Sequence, residues 1–147
     1  MSRGSGLSPS DLLRLSWACA PIRQAFRATP YLVGSAMLRA DYRDIDVRLI
    51  LDDDDFRAMF GERGDEMARL RLVNTALSAM IQQSSGLAKP IDFQIQPMSY
   101  ANEYPNTAED PHPRNPLGVP RAGGFDAPDW SAGPVPETPE KPDEETR

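Results

Sequence analysis

The sequence predicts an α/β (α+β) fold, a small mixed β-sheet with helices packed on one face, followed by an extended, Pro-rich C-terminal tail. Three observations carry that expectation. Apolar residues recur at helical spacing in two long stretches, apolar and polar residues alternate in short β-favouring runs between and after them, and ten of the fifteen prolines lie beyond Met98. At 147 residues the chain is long enough for one domain of ordinary size and too short for a second large one. The expected division is a domain over 1–97 and a tail over 98–147.

The first helix is expected from about Pro9. Ser8 can accept an amide hydrogen bond, Pro9 is tolerated at the first helical position, and Asp11 completes a capping box. Leu12, Leu15, Cys19, Ile22 and Phe26 follow at intervals of three or four, with Pro21 expected to kink or restart the helix because it lacks an amide hydrogen. Thr29-Pro30 interrupts the stripe. Tyr31-Leu32-Val33 then reads as a short strand ending in a Gly34-Ser35 turn, with a short helix over Ala36 to Ala40.

A second strand is expected from Asp44 to Leu51. Because side chains alternate along a strand, Ile45, Val47, Leu49 and Leu51 share the core face, and Asp44, Asp46, Arg48 and Ile50 the other. Asp52 to Asp55 places acids at the start of a short helix ending near Phe60-Gly61, where the helix dipole favours them; no glycine or glutamate at EF-hand spacing accompanies them. Met67, Leu70, Val73, Leu77, Met80 and Ile81 mark the longest helix, from Asp65 to about Ser84-Ser85-Gly86. Ile91-Asp92-Phe93-Gln94-Ile95-Gln96 is the third strand, with Asp92 on its polar face.

Beyond Met98 the proline, glycine and acid content argues for an extended or disordered chain that cannot bury enough surface to offset its entropy. Tyr100, Tyr104, Phe125 and Trp130 are the exceptions, able to dock on the core or on a partner. His112, with no second histidine beside it, reads as solvent-exposed and without a catalytic role.

Charge is divided unevenly. Residues 1–97 hold twelve acids and twelve Arg or Lys, so the net charge of −6 comes from ten acids against four basic residues in 98–147. A balanced domain has no general attraction for a polyanion, so nucleic acid would need a local patch. Cys19 is the only cysteine, which excludes an intrachain disulfide and a cysteine-based structural zinc site. No apolar leader precedes Ser8-Pro9 and no stretch approaches the ~20 apolar residues of a membrane span, so the expectation is a soluble, cytoplasmic protein without a membrane partner.

The chemistry-bearing pattern is a strand ending in Gly34-Ser35, nine residues from Ser35 to Asp44, an apolar strand carrying Asp44 and Asp46, and a third acid, Asp92, on another strand. Hard carboxylate oxygens on neighbouring strands suit Mg²⁺, and three crowded acids without a cation would repel one another. Arg43 and Arg48 are the structural alternative, as salt-bridge partners. The pattern over Tyr31 to Gln96 resembles the DNA polymerase β-like nucleotidyltransferase superfamily, whose signature is a Gly-Ser turn, a spacer, Asp-x-Asp and a downstream carboxylate.

The resemblance implies a minimal, palm-like nucleotidyltransferase that transfers a nucleoside monophosphate, AMP from ATP in the first instance, to a hydroxyl of a protein, RNA or small molecule. It implies two Mg²⁺ ions, or Mn²⁺ in their place, on Asp44, Asp46 and Asp92, with Asp92 also helping to take the proton from the attacking hydroxyl. Gly34, Ser35, Arg39 and Arg43 would contact the phosphates. Such small members work as dimers or with a partner protein, here held through the tail, and a bacterial or phage source fits the excess of Arg over Lys. The competing reading is a catalytically inert binding module of the same fold that acts through its acidic, Pro-rich tail.

Overall fold

The structure is a computed structural model that describes residues 6–62 and 65–118. Among these residues the chain is a mixed α/β assembly of five helices and one four-stranded sheet. The order is α1 (Pro9–Phe26), β1 (Pro30–Val33), α2 (Ser35–Leu38), β2 (Ile45–Leu51), α3 (Asp53–Phe60), α4 (Asp65–Ser85), β3 (Ile91–Pro97), α5 (Met98–Ala101) and β4 (Asn115–Pro116). Across the sheet the strands run β3-β2-β1-β4. β1 is antiparallel to β2 and to β4, whereas β2 and β3 are parallel, so the sheet is mixed. No helix of the described residues is long and apolar enough to cross a membrane.

Strand parity sets the core. Ile45, Val47, Leu49 and Leu51 of β2 and Ile91, Phe93 and Ile95 of β3 are buried, while the residues between them are only half-buried. Leu15, Cys19 and Ile22 of α1, Phe56 and Phe60 of α3 and Ile81 of α4 complete the cluster. Burial pushes the Cys19 thiol up to about 12, so it stays a neutral, small core hydrophobe.

Ser8 caps α1, its Oγ accepting from Asp11 N at 3.1 Å. Of the expected kink or restart at Pro21, a restart does not occur: α1 is one helix of 18 residues. Pro21 lies on the exposed side, and Ala18, Cys19 and Ala20 before it and Ile22 after it are all buried. Packing on both sides of the proline therefore holds the helix together across the lost amide.

Helix α4 covers the outer edge of β3 with a polar stripe. Gln82 Oε1 accepts from Ile91 N at 2.9 Å, Ser78 Oγ from Phe93 N at 2.9 Å and Asn74 Oδ1 from Ile95 N at 3.0 Å. The match is one of pitch: four helical residues rise 6.0 Å at about 1.5 Å each, and two strand residues advance about 6.6 Å. Alternate edge amides of β3 are thus satisfied by side chains rather than left to pair with another strand.

Chain that the composition places in the tail contributes to the fold. β4 adds to the free edge of β1, with Leu32 opposite Asn115 and Tyr31 opposite Pro116. Leu117 N donates to Pro30 O at 2.8 Å and the Leu117 side chain is fully buried. Gly118 N donates to Ser16 Oγ on α1 at 2.8 Å. The expected extended tail from 119 onward, with Phe125 and Trp130, lies outside the described residues.

Candidate functional site

The polar face of the sheet carries a row of three residues from three strands. Val33 at the end of β1 is opposite Asp46 on β2, and Asp46 is opposite Asp92 on β3. Because β1 ends at Val33, the next residue, Gly34, turns the chain beside the Asp46 carboxylate. Its backbone has φ 78° and ψ −157°, a conformation essentially confined to glycine. A Cβ on Gly34 would overlap Asp46 Oδ2, so the close approach of turn and acid also requires glycine.

Asp46 is half-buried. Desolvation lifts its carboxyl above the usual carboxylate range; Arg48 pulls the other way, and Asp92 and Asp44 add to the rise. Asp44 precedes the strand, which begins at Ile45 rather than at Asp44 as expected, and is exposed. The three acids therefore feel one another, as parity predicts, with Asp46 and Asp92 half-buried and Asp44 exposed.

Arg48, two residues beyond Asp46 on the same face, reaches across to β3. Its guanidinium donates to Asp92 O at 2.7 Å and to Val47 O at 3.0 Å, and pairs with Asp92 Oδ2 at 3.4 Å. Gln94 Nε2 stands 3.3 Å from Asp92 Oδ1. The salt-bridge alternative for Arg48 is thus realised, and Asp92 is turned to it. Among the described residues no group of three or more Asp, Glu, His or Cys side chains is placed to hold a metal ion.

A groove of about 480 Å³ opens over this row. One wall is the sheet and turn, with Gly34, Ser35, Arg39, Asp46, Arg48 and Gln96; the other is built by Tyr100, Tyr104, His112 and Arg114. Of the residues singled out in the sequence, Gly34, Ser35, Arg39 and Asp46 line the groove. Asp44 and Asp92 lie beside it, and Arg43 is exposed and outside the lining. Arg39 is itself paired with Asp41 at 3.2 Å.

The second wall is what sequence reasoning missed. His112, expected to be solvent-exposed, is half-buried, with Nε2 3.2 Å from Asp110 Oδ2 and its ring 5.7 Å from that of Tyr104. Arg114 donates to Ala101 O at 2.9 Å. The available signal was the Tyr100/Tyr104 pair, four residues apart directly after the third strand in an otherwise aromatic-poor segment. Arg39, Arg48, Arg114 and His112 line the groove with Asp46, the first two and the histidine each paired with a carboxylate beside it, and the tyrosines add a surface that suits a planar ring.

No protein-family model, curated protein or solved structure matches the chain.

Proposed function

We propose that the protein is a metal-dependent nucleotidyltransferase that moves a nucleoside monophosphate from an NTP, ATP in the first instance, to a hydroxyl acceptor, breaking the bond between the α- and β-phosphates and releasing pyrophosphate. The observation that carries the reading is the row Val33, Asp46, Asp92, with the Gly34 turn pressed against the Asp46 carboxylate at the floor of an arginine-lined groove. The helix–strand alternation, with β1 antiparallel to β2 and β2 parallel to β3, supports it as a palm-like arrangement.

The donor set fits Mg²⁺ in chemistry. Mg²⁺ takes hard oxygens and commonly uses one or two protein carboxylates, with phosphate oxygens and water completing its octahedron. Asp46, half-buried and crowded by Asp44 and Asp92, is a carboxyl whose ionised form a cation would favour. Asp46 would supply the central carboxylate; Asp44 and Asp92, which do not converge with it into a metal-holding group as they stand, would have to turn toward it to hold the ions, which when bound neutralise triphosphate charge and make the acceptor hydroxyl more acidic. Gly34 lets the backbone approach the phosphates, Ser35 and Arg39 donate to their oxygens, and Asp92, released from Arg48, accepts the acceptor's proton.

Incubation with α-labelled NTPs, Mg²⁺ and a cell lysate tests the reading. Label is expected on a lysate component, lost with Asp46→Asn. Absence of transfer to every component, together with no measurable NTP binding, would sink it.

One observation favours the inert alternative: Arg48 already neutralises Asp92. In that reading Asp92→Ala leaves the cellular function intact and deletion of 119–147 abolishes it. The deletion must begin at 119, since Leu117 and Gly118 are tied into the domain. Arg48→Met separates the two readings further. If Asp92 serves a cation, the variant gains thermal stability on adding Mg²⁺; if it serves only Arg48, Mg²⁺ leaves the melting temperature unchanged.

A further inference from the structure

We propose that the nucleoside end of the substrate stacks on Tyr104, in the half of the groove built by residues 100–114. This deepens the nucleotidyltransferase reading and rests on it.

Three rings occupy that half. Tyr100 and Tyr104 meet edge to face, with centroids 5.8 Å apart at 70°, and Tyr104 meets His112 at 57°. Neither neighbour lies parallel to the Tyr104 ring, so neither is stacked on it. Tyr100 and Tyr104 stay 46% and 47% exposed, although rings of this size stabilise the fold most when covered.

The segment that carries the rings is held in place rather than loosely draped. Asn106 Oδ1 accepts from His112 N at 2.9 Å, Thr107 Oγ1 from Asp110 N at 3.0 Å, and Ala101 O from Arg114. β4 and the buried Leu117 then fasten its far end to the sheet. Aromatic rings that are half-exposed, line a groove and sit on a fixed segment form a platform that a planar ring can use at little ordering cost.

The groove lining carries both kinds of group that a nucleotide needs: Arg39, Arg48 and the Gly34-Ser35 turn line it with Asp46, and so do Tyr100 and Tyr104 with His112 and Arg114. A nucleoside triphosphate joins a planar base to a polyanion through one sugar, and a groove of about 480 Å³ is within the range of small-molecule sites. With the phosphates beside Asp46 at the Gly34-Ser35 turn, Arg39 and Arg48, the base is left to the tyrosines. This wall would also bear on which NTP is accepted.

The test is a calorimetric titration of the full chain with a non-hydrolysable ATP analogue and, separately, with inorganic tripolyphosphate, both with Mg²⁺. Wild type, Tyr104→Leu and Tyr104→Phe are compared, with circular dichroism confirming that each is folded. Tyr104→Leu should weaken the analogue roughly tenfold or more, while Tyr104→Phe, which keeps the ring, should bind as wild type does. Tripolyphosphate, which has no base, should bind all three equally. If Tyr104→Leu binds the analogue as well as wild type, or loses tripolyphosphate to the same degree, stacking on Tyr104 is overturned and the nucleotidyltransferase reading stands. If wild type binds neither probe, that reading falls and takes this one with it.

Discussion

Replacing Gly34 by alanine brings two separable penalties. The backbone at φ 78° and ψ −157° disfavours any residue with a Cβ by about 1–3 kcal/mol. The added methyl would also overlap Asp46 Oδ2 and come within 3.2 Å of Asp46 Cγ. Asp46 is held by pairing on both sides, to Val33 and to Asp92, so relief must come from rotating its carboxylate. Together these effects should destabilise by about 3 kcal/mol, a fall of roughly 10 °C in melting temperature for a domain of this size. Gly86→Ala is the internal control. Gly86 also has a positive φ, 69°, but nothing lies within 4 Å of its would-be Cβ, so only strain of about 1–2 kcal/mol applies. Thermal unfolding followed by circular dichroism, in wild-type and Asp46→Ala backgrounds, separates the terms as a double-mutant cycle. The collision term should disappear in the Asp46→Ala background, and the Gly86→Ala penalty should be the same in both. If Gly34→Ala melts with Gly86→Ala in both backgrounds, the proposed contact between turn and acid is wrong.

Three further outcomes follow from the packing and the electrostatics. Because burial raises the Asp46 carboxyl from 3.8 in the folded chain, against the pull of Arg48 and with help from Asp92 and Asp44, the folded state binds more protons than the unfolded state just above that value, and stability falls as pH rises through the window. Asp46→Asn should therefore melt higher than wild type at neutral pH and lose that advantage below pH 3.8; equal advantage at both pH values would refute the assignment. Leu117→Ala, at a fully buried position, should destabilise by about 2–5 kcal/mol in urea unfolding, whereas a chain end merely resting on the surface would change by a few tenths. Ser78→Ala removes the acceptor for Phe93 N and should destabilise by about 1–3 kcal/mol; combined with Asn74→Ala, it should open the β3 edge to self-association visible by light scattering, and an unchanged, monodisperse double variant would show that α4 does not guard the edge.

Much of the sheet was legible because its code is local. Alternation in Ile45 to Leu51 and Ile91 to Gln96 fixes which side chains face the core whatever the partner strand, so Asp46, Arg48, Asp92 and Gln94 were assigned to polar faces from parity alone. The continuous α1 was not legible, because the propensity penalty at Pro21 is local while the burial of Ala18, Cys19, Ala20 and Ile22 that outweighs it is not. β4 was invisible for a related reason. Two residues of strand have no period, and their place depends on contacts with distant parts of the chain: the amides of Leu117 and Gly118, bonded to β1 and α1, and one buried leucine. The groove's second wall inherits that invisibility, since Tyr104, His112 and Arg114 hang between α5 and β4.

The parity that exposed the acids also explains why the site carries its own rival. A strand that turns Asp46 to the polar face must turn Arg48 the same way, and a parallel neighbour in register sets Asp92 opposite Asp46 and Gln94 opposite Arg48. The long Arg48 side chain then reaches the diagonal Asp92 and, at 16% exposure, has little water to prefer over it. Three carboxyls on one face would repel one another, and a guanidinium and a divalent cation are two ways of removing the same repulsion. The guanidinium is built in and single-charged, and it leaves Asp46 still raised. A doubly charged ion brought in with a triphosphate would act on Asp46 itself, the acid that Arg48 only partly relieves. Burial, the first cause of that rise, is what Arg48 cannot remove, and in the nucleotidyltransferase reading proposed above it is this carboxyl, rather than the number of acids in the motif, that a cation would act on.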